Sequence, residues 1–178
     1  LLVNVALEGD DTLRPYALLA PHLGGNGREN CAQAAVHRGR KVLWAEQGAF
    51  GLALAAVDNH QRDALGGFSA GYVGASDGWQ DFRRNGRLTW YFDCAGPGNV
   101  ALIGELTRSA TIALGFGSSR TSAATLALSS LFQSFDDVYR RHVSSWRDWH
   151  GKHRLASNLS DALRDQLAIS AMVLRVHQ

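Results

Sequence analysis

The sequence predicts a mainly β protein, an antiparallel β-sandwich over residues 1–119 followed by two helices. Three observations carry that reading. From Leu1 to Phe116, short alternating apolar runs are separated by Gly-, Asn- and Asp-rich turns with no helical period between them, the pattern of a sandwich. At Thr121 the apolar spacing changes from two residues to three and four, the stripe of an amphipathic helix. With 46% hydrophobic and 19% charged residues among 178, the chain can bury a sizeable core and is not disordered by composition.

Each element follows from local chemistry. Leu1 to Leu7 alternates and reads as a strand that ends at the Gly9-Asp10-Asp11 turn. Arg14 to Leu23 is a second strand, its start marked by Pro15. Gly24-Gly25-Asn26-Gly27 is a loop. A Gly-rich loop cradles phosphate only when a helix follows and aims its amides at the anion, whereas Cys31 to Val36 reads as a strand. Arg38-Gly39-Arg40 turns the chain into Lys41 to Glu46. Phe50, Leu52, Leu54 and Ala56 alternate again, although the neighbouring alanines leave a short helix open. Asp58 to Gly67 is polar and reads as a surface loop.

Gly71 to Leu106 is the most legible stretch. Asn85-Gly86 is the pair that best tolerates the two positive φ angles of a type I′ turn. After it, Leu88, Trp90 and Phe92 alternate with Thr89, Tyr91 and Asp93, and a strand is expected there. Ser76-Asp77-Gly78 reads as a turn ahead of a less regular strand carrying Trp79 and Phe82, and Gly96-Pro97-Gly98-Asn99 breaks the chain before Val100 to Leu106 alternates again. The expectation is a meander of antiparallel strands with one aromatic face. Ala110 to Phe116 is the last strand.

From Thr121, the residues Leu128, Leu131, Phe132, Phe135, Val138, Tyr139, Val143, Trp146 and Trp149 form a stripe, with Thr121 or Ser122 as its cap. One helix from Ser122 to His150 spans roughly 40 Å at 1.5 Å per residue, long for a surface helix and suited to connecting two bodies, with a possible break at Arg141 to Ser145. Asp136 with Arg140 and Asp137 with Arg141 form i,i+4 pairs. Gly151 to Asn158 is a loop, and Ser160 caps a final helix. Its Leu163, Leu167, Ala171 and Leu174 line one face and Ile169, Met172, Val173 and Val176 much of the other, so it is expected to be buried in a larger body. The chain starts at Leu1 without an initiator Met and ends at Gln178 inside an apolar periodic segment, so a piece of a longer protein is expected.

Composition narrows the partners. A net charge of +2, with arginines scattered and only Lys41 and Lys152 as lysines, gives no footprint for nucleic acid. No apolar run approaches the roughly 20 residues that span a bilayer. Cys31 and Cys94 are either bridged in an oxidising compartment or two buried free thiols, the plainer reading. His150 and His153 have a spacing that metals use, but no Cys, Asp or Glu completes a ligand pattern. Asp77 and Asp81 could hold a hard cation, yet the glycine and glutamate of a calcium loop are missing and a turn with capped amides fits better. Trp79 and Trp90 could stack on a sugar ring, although tryptophans in sandwich strands are more often core.

Four segments carry a resemblance. SAGYVGASDGWQDF (Ser69 to Phe82), GNVALIGEL (Gly98 to Leu106) and YALLAPHLGGNG (Tyr16 to Gly27) resemble the N-terminal β-sandwich domain of bacterial glucoamylases and glucodextranases, glycoside hydrolase family 15. SAMVLRVHQ (Ser170 to Gln178) is similar to the first helix of that family's helical catalytic barrel. The resemblance implies a supersandwich-like domain over 1–119, a helical linker over 120–158, and the start of an otherwise absent α/α barrel over 159–178. It also implies an exo-acting inverting glucosidase that releases glucose from α-glucans without a cofactor, in a secreted or periplasmic setting.

That chemistry needs one carboxylic acid to protonate the leaving oxygen and a carboxylate about 6.5–9.5 Å away to activate water. In the family both lie in the barrel, so no catalytic residue is expected in this chain, which alone should be inactive. Its expected partners are the rest of the barrel and an α-glucan, with no nucleic acid and no membrane. Asp77, Trp79, Gln80 and Arg87 are the candidate substrate-binding or interdomain rim. The rival reading is a non-catalytic sandwich that binds carbohydrate or a protein partner, with the C-terminal helices as an oligomerisation arm.

Overall fold

Period-two alternation produces two antiparallel sheets that share one apolar cluster. A computed structural model describes residues 1–152 and 159–177. The larger sheet contains β1 (Leu2–Ala6), β3 (Asn30–His37), β4 (Arg40–Gln47), β5 (Phe50–Val57), β7 (Cys94–Gly98) and β9 (Ser109–Gly117), in the order β1-β9-β5-β4-β3-β7. The smaller one orders β2 (Tyr16–Leu19), β8 (Val100–Leu106) and β6 (Leu65–Tyr72) as β2-β8-β6. The row Ala34–Leu43–Leu54–Leu114 crosses four strands of the larger sheet. The row Leu19–Leu102–Ala70 crosses all three strands of the smaller one. Both rows belong to the same core.

The alternate residues of the larger sheet do not face water. Val42, Trp44, Ala53, Ala55, Val57 and Ala113 join Ala123, Ala124, Ala127 and Leu131 in a second cluster under α2 (Arg120–Ser130). β5 is therefore buried on both faces from Gly51 to Val57, which is why its run reads as apolar throughout and why it is a strand rather than the short helix left open above. The helix lies very close to the sheet. A Cβ on Gly115 would stand 2.1 Å from the Ala123 carbonyl oxygen and 2.6 Å from the Ala127 nitrogen. Alanine and glycine on both surfaces permit that approach. Ser119, not Thr121 or Ser122, is the cap, and it forms a capping box with Ser122.

Several expectations fail. The Gly71–Leu106 meander is interrupted by a helix, α1 (Gly78–Asn85), and Asn85-Gly86 is no hairpin turn. Gly86 is the left-handed C-cap of α1 (φ 68°), and its N–H bonds to the Phe82 carbonyl. Leu88 to Asp93 is extended but joins no ladder, while Gly96-Pro97-Gly98 lies inside β7 with a cis Gly96–Pro97 bond instead of breaking the chain. The long connector is also two helices. The break falls after Ser130, and α3 (Phe135–Gly151) begins beyond it. β6 starts at Leu65, where a loop was expected as far as Gly67.

The contacts group residues into two compact units, Leu1–Phe135 and Asp136–Gln178, so α2 belongs to the first. In the second unit α4 (Asp161–Val176) is capped by Ser160 as the sequence indicates. The Arg175 guanidinium stacks 4.9 Å from the Trp146 ring centre and 4.8 Å from that of Trp149. Arg140 pairs with Asp137, three residues back, and donates Nε to the Asp136 carbonyl instead of bonding the Asp136 carboxylate. No described residue of α3 or α4 is buried, and Leu174 is 68% exposed, so the burial expected for α4 is absent within this unit.

Cys31 and Cys94 are both free. Cys31 is half-buried and Cys94 exposed, so the expected pair of buried thiols is incorrect. No helix among the described residues is long and apolar enough to cross a membrane.

Candidate functional site

The outer face of the smaller sheet carries α1. Ile103 points outward there, yet it is 2% exposed because Gly78 sits on it. A Cβ on Gly78 would fall 2.4 Å from Ile103 Cδ1. Gly71 plays the same part beneath the preceding loop, where a Cβ would stand 2.2 Å from the Ser76 carbonyl oxygen. Phe82 meets Tyr16 of β2 edge-on at 4.6 Å.

Two aspartates fix this helix. Asp77 caps its start: Oδ1 accepts from the amides of Trp79 (2.8 Å) and Gln80 (3.0 Å), and Oδ2 accepts from the Gly74 amide. Asp81 is 0% exposed and holds the chain that leaves the helix. Its carboxylate accepts from Asn85 Nδ2 (2.7 Å), Thr89 Oγ1 (2.7 Å) and the Trp90 amide (2.7 Å), and from the Thr89 amide. Burial alone would raise its pKa. The Thr89, Asn85 and Trp90 hydrogen bonds outweigh that effect and hold it at about 2. Both carboxylates are saturated by donors of the chain itself, the capped-amide arrangement and not a cation site. Among the described residues no group of three His, Cys, Asp or Glu side chains could hold a metal. His150 packs against Trp146 and Trp149, and His153 lies outside the described residues.

Beside the N-terminal turn of α1 is a shallow pocket of about 330 Å³, lined by Leu18, Leu19, Ala20, Val73, Gly74, Asp77, Trp79, Gln80 and Ala101. The structure thus brings together Asp77, Trp79 and Gln80 of the predicted rim. Arg87 is not among the lining residues. It follows the C-cap, an eight-residue helix or roughly 12 Å further along at 1.5 Å per residue. Trp79 is 58% exposed, not core. Trp90 is half-buried, with the Arg84 guanidinium 5.2 Å above its ring. The sequence reading missed the role of Asp81, and the signal was available: Asp77 as N-cap and Gly86 as C′ bracket one short helix. Another pocket, lined in part by Arg38, Arg40, Leu128, Leu131 and Phe132, opens beside the end of α2, where the sequence suggested nothing.

Comparison with known proteins places this arrangement. Residues 1–151 match the family model described as glucodextranase, domain N. The chain belongs to that family. Among solved structures it is similar to a bacterial glucoamylase crystallised with acarbose, with a TM-score of 0.75 and 24% identity over 84% of this chain. It spans 23% of that protein's length. The likeness shows a common fold, mainly antiparallel β with accompanying helices. No curated protein matches.

Proposed function

We propose that this glucodextranase N-domain chain is the N-terminal structural portion of an exo-acting, inverting glucosidase that releases glucose from α-glucans, of the glucoamylase or glucodextranase type. Residues 1–119 form its sandwich, 120–158 its linker and 159–178 the first helix of a helical catalytic body. The family match over residues 1–151 carries the reading. The exposed apolar residues of α4 support it, Leu163 (48%), Ile169 (59%), Val173 (52%) and Leu174 (68%) among them. Burying each such side chain is worth roughly 1.5–3 kcal/mol, so a covering body is strongly favoured.

Asp81 and Asp58 are unsuited to act as the general acid. A general acid for glycoside cleavage needs a raised pKa. Asp81 is held at about 2. Asp58 is also held at about 2, above all by the main-chain hydrogen bond from Arg62. Asp77, Trp79, Gln80 and Arg87 then belong to the interdomain or active-site-rim face.

The test is glucose release. The 178-residue chain should liberate none from maltose, isomaltose, starch or dextran, whereas the parent polypeptide should, with inversion at the anomeric carbon. Turnover by the chain that survives repurification and disappears on mutation of one of its acidic residues would overturn the division of labour. An inactive parent would favour the non-catalytic binding sandwich.

A further inference from the structure

We infer that the pocket beside Trp79 is a subsite for a single neutral sugar ring, contributed by the sandwich. The inference rests on the α-glucan reading above for the identity of the sugar, and on the pocket itself for everything else.

Trp79 is set apart from the other tryptophans. Trp44 packs against His37 and Arg120, Trp90 against Phe92 and Arg84, and Trp146 and Trp149 against each other and Arg175. Among the described residues Trp79 has no such ring or cation contact, belongs to neither apolar cluster and stays 58% exposed. More than half of its surface is open to solvent. The fold fixes its position, because the Trp79 amide is tied to Asp77 at 2.8 Å on the first turn of α1. The helix is held at its other end by Asp81 and Gly86. A large aromatic face on an anchored turn loses little freedom when a ligand binds.

The surroundings select the ligand class. Leu18, Val73 and Ala101 supply an apolar floor. Gln80, next in sequence and also lining the pocket, offers a primary amide that donates and accepts. No Lys, Arg or His lines the pocket, and its one acid, Asp77, turns its oxygens to three main-chain N–H groups. Neither a cation nor an anion finds a free counter-charge. The ligand that fits is neutral, with an apolar face for the indole and hydroxyls at its edge for Gln80. A pyranose has both. A shallow site for one ring binds weakly, at about millimolar Kd.

Indole N–H resonances of the 15N-labelled full chain test this, with maltotetraose and isomaltotetraose as probes. The Trp79 signal should shift saturably with one of them while the other tryptophan signals stay in place. Followed by main-chain amide shifts, because the variant has no Trp79 indole, Trp79→Ala should weaken binding about tenfold or more, and Gln80→Ala by less. Neither variant should move the thermal midpoint, since Trp79 packs in no core. No saturable shift, or unchanged binding by Trp79→Ala, would overturn the inference while leaving the enzyme reading to the glucose-release assay. Protection of Trp79 from a neutral quencher in the parent polypeptide, with no response to either sugar, would identify the pocket as a contact with the catalytic body and also overturn it.

Discussion

The two helices that cover the sheets of the first unit are held in opposite ways. α2 lies on the larger sheet through an apolar cluster rich in alanine, close enough that Gly115 has no room for a methyl group. α1 lies on the smaller sheet through one apolar contact row and two aspartates that bind main-chain N–H groups at either end. Dispersion and exclusion of water act along the whole length of α2 and seal that face. The polar contacts of α1 are concentrated at its ends, which fixes the helix yet leaves its flank open beside Trp79. A sealed face supports, whereas an anchored but open face can bind.

The comparison breaks most visibly at Gly115. Gly115→Val drives a β-branched side chain into the α2 backbone, which cannot move aside as a flexible side chain would. A loss beyond about 4 kcal/mol in denaturant unfolding is expected, at the far end of what single substitutions do. Gly66→Ala is the control. Its Cβ would meet only the Glu105 side chain at 3.6 Å, and a change within about 0.5 kcal/mol is expected. Equal effects at the two positions would mean that α2 is not close-packed.

Asp81 sharpens the other side. Asp81→Ala leaves the part-buried amides of Thr89 and Trp90 without their acceptor and should cost about 3 kcal/mol. The same group predicts acid sensitivity. Its folded pKa of about 2 lies below the ordinary 3.8, so ionisation favours the fold. That stability is complete above about pH 4 and declines as the pH falls towards 2. Hydrogen exchange should therefore show Thr89 and Trp90 losing protection across that window while the amides of α2 keep theirs. Simultaneous loss at both helices would dissolve the distinction.

A smaller loss is expected at Gly86. A Cβ there meets nothing within 4 Å, so Gly86→Val costs only the strain of a β-branched residue at φ 68°, about 1–2 kcal/mol. An unchanged midpoint would remove the left-handed cap from the account of α1.

Much of the fold was legible from the residues. The strands from Cys31 to Ala56 and from Val100 to Phe116, and the Ser160 cap, follow from alternation and capping chemistry. So does the need of Asn85-Gly86 for a positive φ. The sequence is silent on what uses it, because a type I′ hairpin and a helix C-cap demand the same conformational freedom. Leu88 and Trp90 are more buried than Thr89 and Tyr91, but the alternation ends at Phe92, which is 43% exposed. Alternation describes side chains, however, and a ladder also needs main-chain partners. Here the Phe92 and Asp93 carbonyls accept the Ala70 and Ala34 amides, but the segment's own donors turn to side chains, Phe92 to Ser69 Oγ and Thr89 and Trp90 to Asp81.

Local sequence therefore established where the chain extends, where it turns and which residues seek burial, because backbone sterics and hydrophobic period act between near neighbours. Which covering each apolar face receives depended on residues far apart in the chain. Ala123 and Ala127 are good helix formers with little side chain to bury, and their packing role appears only when Gly115 and Ala113 meet them across the sheet. For Asp77 and Asp81 the sequence suggested a turn with capped amides, but which main-chain donors close around their carboxylates was decided by the fold. Small side chains and buried acids take their meaning from what is brought against them, and proximity of that kind exists only once the chain has folded.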